Sequence, residues 1–118
     1  MSDFETLLAE ILRFRDERDW AQFHTPKNLA TALGIEVAEL QELLLWKTDQ
    51  EVRQVLSDRD KREAVARELA DIAIYTILVA HAAGVELGSA IMEKLKHNAE
   101  KYPVEKARGN ATKYTELK

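Results

Sequence analysis

Apolar residues recur along this chain at the spacing of helices, and no stretch alternates as a half-buried strand does. Phe4, Leu7, Leu8, Ile11 and Leu12 follow the i, i+3, i+4 rhythm of one buried stripe. Ser2, with Glu5 three residues on, reads as a capping box opening this first helix. The stripe runs out in the polar segment Arg15-Asp-Glu-Arg-Asp19. Thr25-Pro26 supplies an N-cap and an N1 proline for a second helix, whose face of Leu29, Leu33, Val37, Leu40 and Leu44 continues to about Trp46. Residues 47–60 are polar, with a short helical turn expected around Val52 to Leu56. A long third helix is predicted from about Asp60 to Ala83, with Gly84 as its C′ stop. A fourth runs from about Leu87 to Lys101 and is ended by Pro103, and from about Val104 the tail is polar.

The third helix changes character along its length. Its second half, Ile72-Ala-Ile-Tyr-Thr-Ile-Leu-Val-Ala80, is apolar on every side, and such a helix must be covered on every side. Three neighbours from one short chain hardly suffice. The expectation is an all-α, antiparallel four-helix bundle, a single domain over residues 1–118, assembled as a homo-oligomer (dimer or tetramer) around this segment. With 46% apolar and 32% charged residues the chain can build a core and solvate its outside, so a disordered chain is excluded. The absence of cysteine removes disulfides, thiolate nucleophiles and cysteine zinc sites, and fits a reducing compartment. Met1-Ser-Asp-Phe-Glu is not a basic-then-apolar leader, and the longest uncharged run, Ile72 to Val85, is too short to span a bilayer. A cytoplasmic protein without a membrane partner is expected. Seventeen Lys and Arg against twenty-one Asp and Glu leave a net charge of −4, which argues against nucleic acid as a partner.

The candidate chemistry lies in carboxylates. Glu36, Glu39 and Glu42 are spaced three apart on the second helix, and Glu68 and Asp71 share that spacing on the third. Residues at i and i+3 project from one side of a helix, so each pair can aim two carboxylates at one point. Most helical glutamates are simply solvated, but these border the most apolar segments of the chain. Two carboxylates ~5 Å apart repel by roughly 3 kcal/mol at an effective dielectric near 20. A cluster of four calls for a cation, and hard oxygen donors without His or Cys select Mg²⁺ or Mn²⁺ over zinc. A di-iron site is disfavoured, because none of His24, His81 and His97 has a glutamate three residues before it.

A competing reading is a helix-turn-helix, since Leu29-Ala-Thr-Ala-Leu33-Gly34-Ile35 has its apolar and glycine pattern. Its recognition helix would then present Glu36, Glu39 and Glu42 to phosphates of like charge. Gly34 is better read as a small residue inside a continuous helix. A non-catalytic helical interaction protein is the remaining alternative.

Glu36-x-x-Glu39 followed by Glu68-x-x-Asp71 resembles the signature of the all-α nucleoside triphosphate pyrophosphohydrolases, the MazG-type superfamily. Glu17-Arg-Asp-Trp-Ala-Gln-Phe-His24, Trp46-Lys47, Glu68-Leu-Ala-Asp-Ile72, Tyr102-Pro103 and the closing Arg108-to-Leu117 segment are similar to the dCTP pyrophosphatase branch. The resemblance covers the chain from about Leu12 to Leu117. It implies Mg²⁺-dependent cleavage between the α and β phosphates of a nucleoside triphosphate, in an oligomer. It makes Glu36, Glu39, Glu68 and Asp71 the metal ligands and catalytic carboxylates, although Glu39-x-x-Glu42 also fits the first half of the motif. It places Trp20, His24, Trp46 and Tyr75 around base and sugar, and more loosely Lys94, Asn98, Lys101 and Tyr102 at the phosphates. Trp46 and Tyr75 extend from their carboxylates in opposite directions on antiparallel helices, so a site shared between subunits is expected. Stacking suits every base, so choice among bases needs polar groups, for which His24, Asn28 and Gln22 are candidates. The preference for a pyrimidine deoxynucleotide, dCTP above all, rests on the resemblance.

Overall fold

The structure, a computed structural model, describes residues 3–118. Ser2, the expected first cap, lies outside them. Every regular element among the described residues is helical, as the periodicity predicts. The chain forms two compact units that divide after Gly84.

The first unit contains α1 (Asp3–Glu17), a 3₁₀ turn (Ala21–Phe23), α2 (Pro26–Leu44), α3 (Asp49–Ser57) and α4 (Arg59–Ala82). Local chemistry sets the helix starts. Thr25 Oγ1 accepts the Asn28 N–H at 3.2 Å with Pro26 behind it, so α2 begins at the proline. It runs unbroken through Gly34, which removes the turn a helix-turn-helix needs.

The polar stretch after α2 holds more structure than the expected single turn. Thr48 and Glu51 form a reciprocal capping box, at 3.2 and 3.1 Å, that nucleates the nine residues of α3. Asp58 then serves two helices. Its N–H donates to the Gln54 and Val55 carbonyls at the end of α3, and its carboxylate accepts the Lys61 N–H at 3.0 Å to open α4. Because α2 stops at Leu44, Trp46 is not on its face as expected. It sits in the connection, with φ +64. The extended backbone of Leu45 and the new cap at Thr48 take the chain off the helix before the indole is reached.

α4 is the hub, packing most extensively on α2 and also on α3 and α1. Leu29 from α2, Val55 from α3, and Ile77, Leu78 and Ala80 from α4 form the buried core. The apolar half of α4 is thus buried at Ile77, Leu78 and Ala80, while Ala73 and Ile74 stay exposed, so one chain does not cover it on every side. Gly84 takes φ +71 just past it, the left-handed stop that glycine adopts without a Cβ penalty.

The second unit contains α5 (Leu87–Lys101), the four-residue α6 (Val104–Ala107) and a 3₁₀ turn at Tyr114–Glu116. Glu86 caps α5 by accepting the Ser89 N–H at 2.7 Å, which holds its carboxyl below the usual range. The tail is pinned back onto the end of α5. The Tyr114 ring meets Tyr102 edge-on at 5.9 Å, and Lys101 Nζ lies 4.5 Å from its centroid. Among the described residues no single helix is long and apolar enough to cross a membrane.

Candidate active site

Two packed helices bring three carboxylates together. Oxygens of Glu36 and Glu39 on α2 and Glu68 on α4 lie within 4.8 Å of one another. Glu36 and Glu68 are half-buried, and one oxygen of each, Oε2 in both, is enclosed without a hydrogen-bond donor. The Glu36 pKa is pushed up to about 7. The leading cause is the carboxyl contact with Glu68, which a shared proton satisfies, followed by burial, the contact with Glu39 and the negative charges of Glu39 and Asp71. Enclosed carboxylate oxygens without donors and a carboxyl pushed up toward neutrality form a donor set that suits a cation. Asp71 adds its field to Glu36 but is not in the tight triple. Glu42, one turn past Glu39, is exposed and outside it, so the geometry favours the Glu36–Glu39 register.

Asp71 also links the carboxylates to a pocket. A cavity of about 450 Å³ is lined by Glu10, Ile11, Phe14 and Arg15 of α1, by Trp20 and His24 from the connection, and by Asp71, Ile74, Tyr75 and Leu78 of α4. Its aromatic side is built from local geometry. The Trp20 N–H donates to the Arg15 carbonyl at 3.1 Å, turning the chain back, while Asp19 adopts φ +55, a conformation aspartate tolerates. The Trp20 ring then meets Phe14 edge-on at 5.8 Å and lies 6.4 Å from the His24 ring. The Arg18 guanidinium covers Phe14 at 3.7 Å. Burial first, and the Arg15 charge second, lower the His24 pKa from the usual imidazole range, which favours the neutral ring. Its Nδ1 is enclosed without a partner.

The remaining expected residues fall elsewhere. Gln22 Nε2 is occupied by Asp19, at 3.0 Å to its carbonyl and 3.1 Å to its carboxylate, and Asn28 Nδ2 by the Phe23 carbonyl at 3.1 Å. Both amides hold the loop and do not line the pocket. Trp46 is 92% exposed and does not line it either. Lys94, Asn98, Lys101 and Tyr102 belong to the second unit, where Lys101 and Tyr102 engage Tyr114. Sequence reading missed Glu10, Phe14 and Arg15. The signal was present, since Ile11, Phe14 and Arg15 continue the first stripe at i, i+3 and i+4 to the point where the chain turns into Trp20.

Residues 31–117 match the MazG-like family. The chain is 43% identical over 117 residues to dCTP pyrophosphatase 1 of Rattus norvegicus, covering 99% of this chain and 67% of that protein. It is also 43% identical to dCTP pyrophosphatase 1 of Homo sapiens, with the same coverage. A pyrophosphatase from Archaeoglobus fulgidus shares the fold, with a TM-score of 0.80 and 38% identity over 87% of this chain and 94% of the other. A family match along most of the chain, close relatives along nearly all of it and a shared fold lead to one conclusion: this chain belongs to the MazG-like family.

Proposed function

We propose that this MazG-like pyrophosphohydrolase cleaves dCTP, or a 5-modified dCTP, between the α and β phosphates, releasing the monophosphate and pyrophosphate. The observation that carries this reading is the pair of enclosed, donorless oxygens on Glu36 and Glu68 beside an aromatic pocket that shares Asp71. The first feature suits a hard divalent cation and the second a flat ring. The names of the relatives supply the nucleotide class.

Glu36, Glu39, Glu68 and Asp71 would hold Mg²⁺, with Mn²⁺ as the alternative. The ion would supply charge neutralisation at the phosphate oxygens and acidification of water. Attack of water at the α phosphorus liberates pyrophosphate and one proton, and a carboxylate of this set that takes the proton serves as general base. The half-buried position of Glu36 and Glu68 lowers the local dielectric and strengthens these interactions. Trp20 and Tyr75 flank the base, and the neutral His24 offers one ring nitrogen as acceptor and the other as donor. Lys94, Asn98, Lys101 and Tyr102 are proposed as phosphate contacts on the chemistry of their side chains.

A homo-oligomer, dimer or tetramer, is part of the proposal. In the first unit Phe4, Leu7, Ile35, Leu45 and Leu69 are exposed, and in the second Ile91, Met92 and Leu95, large apolar side chains that another copy could cover. Trp46, solvent-exposed on its own chain, would then reach a neighbouring copy's pocket. Incubation with a deoxynucleotide and ribonucleotide panel, with Mg²⁺ and then with EDTA, tests the activity. Mg²⁺-dependent pyrophosphate release from dCTP is expected, and no release from any nucleotide would leave a non-catalytic helical protein. Light scattering at micromolar concentration tests the assembly, and a monomer would reject it.

A further inference from the structure

We propose that Arg15 determines which base the pocket accepts, its guanidinium fork donating to the two adjacent acceptors, O2 and N3, of a cytosine ring. This rests on the nucleotide reading above and adds a residue that the four-carboxylate motif and the tryptophans do not include.

Arg15 lines the aromatic pocket, and its side chain is only 19% exposed, unusually low for a guanidinium. Among the described residues it is the only cation of the lining. The other polar side chains of the lining are Glu10, His24, Asp71 and Tyr75, and Glu10 is paired with Arg13. The side chain is held as well as sheltered. Arg15 Nε donates to Asp16 Oδ1 at 2.8 Å, and among the described residues the two Nη groups carry no hydrogen bond. The Arg15 carbonyl accepts the N–H of Trp20, so one residue anchors the turn that carries the indole and supplies the charge next to it. Ring and fork thus spring from one hydrogen-bonded stretch of backbone, their common frame.

That frame selects by donor and acceptor pattern. A planar fork with two donors matches two acceptors side by side on a planar partner. Cytosine presents this pair at O2 and N3. Thymine and uracil carry a proton on N3, which would face a guanidinium N–H and leave one donor unmet, a mismatch that a sheltered polar group makes costly. Guanine offers O6 and N7, but a purine needs a longer slot between the rings. Lysine could supply the charge at this position but not the fork.

The test compares kcat/KM for dCTP, dTTP and dGTP in the wild type, Arg15→Met and Arg15→Lys, with circular dichroism as the folding control. The wild type is expected to prefer dCTP over dTTP by about tenfold or more. Both variants should lose at least fivefold of that ratio, through dCTP alone, with the Mg²⁺ dependence unchanged. An equal loss on dCTP and dTTP, an unchanged ratio, a lysine variant that keeps the preference, or a wild type that prefers dGTP would overturn the proposal. A second readout uses quenching of tryptophan fluorescence by dCMP and dTMP without divalent metal. Binding of dCMP that exceeds dTMP and depends on Arg15 upholds the base-reading role even if no hydrolysis is found, in which case only the catalytic reading falls. Equal binding of both monophosphates by the wild type overturns the role of Arg15 whatever the activity.

Discussion

The carboxylate cluster and the aromatic pocket share Asp71 but are built in opposite ways. The carboxylates stand on α2 and α4, the most extensively packed pair of helices, so their spacing is set by rigid elements. The pocket draws six of its ten lining residues from α1 and the Asp19–His24 connection, where ring contacts and a few loop hydrogen bonds do the positioning. One end carries an electrostatic cost that a ligand relieves. The other offers apolar surface with a few polar atoms. Under the proposed function, catalysis would sit on well-packed helices, and selectivity where substitution disturbs little of the core.

The sharpest way to break this division is to remove carboxylates. Glu39→Ala, Glu68→Ala and Asp71→Ala are each expected to lower kcat/KM by about a thousandfold or more while the far-ultraviolet circular dichroism is retained. Retained turnover in Asp71→Ala, followed by pyrophosphate release, would detach the pocket from the chemistry. At the other end, the wild type should favour dCTP over dATP and over CTP by about tenfold, equivalent to ~1.4 kcal/mol of transition-state discrimination. Trp20→Ala should erode that ratio severalfold and leave the Mg²⁺ titration of activity in place. If Trp20→Ala instead alters metal dependence, the two regions are not separable.

A smaller effect concerns pH. Glu36 has a folded-state pKa of about 7, raised from 4.5. Its protonation therefore stabilises the folded protein without metal, fully below about pH 4.5 and progressively less as pH rises through 7. In EDTA, the Tm contribution of this group should fall between pH 5 and 8. Glu36→Gln should flatten that part of the profile, and Mg²⁺ should offset the loss at pH 8. A metal-free Tm that rises over the same window in the wild type and not in Glu36→Gln would reverse the assignment. The smallest change is expected for Glu42→Ala, within about twofold of wild-type activity, because its carboxylate lies outside the cluster.

Much of this was readable in the chain because helices translate spacing into direction. Glu36, Glu39, Glu68 and the apolar half of α4 fall where an i, i+3, i+4 pattern puts them. So does the stop at Gly84. Features that depend on where a helix ends were less legible. By spacing Trp46 continues the α2 face, but the capping box at Thr48 starts a new helix and leaves the indole in the connection. Gln22 and Asn28 looked free to read a base, yet loop carbonyls and the Asp19 carboxylate take their donors. Arg15 sat in a run of charges that reads as solvent-facing, and only the turn back to Trp20 shows that it lines a cavity. The family resemblance did not depend on these features, because it rests on residue identity and not on helix boundaries.

Trp46 bears on how this protein could be engineered. A bulky residue with φ +64 and 92% exposure strains the backbone and contributes nothing to the core of its own chain. Glycine or asparagine would suit that conformation better. A selection for thermostability alone would therefore discard the indole early, as would any redesign that scores one isolated chain. Screens on this scaffold should hold position 46 constant or select for turnover at the same time, since under the proposed role of Trp46 a more comfortable backbone and a useful side chain are alternatives.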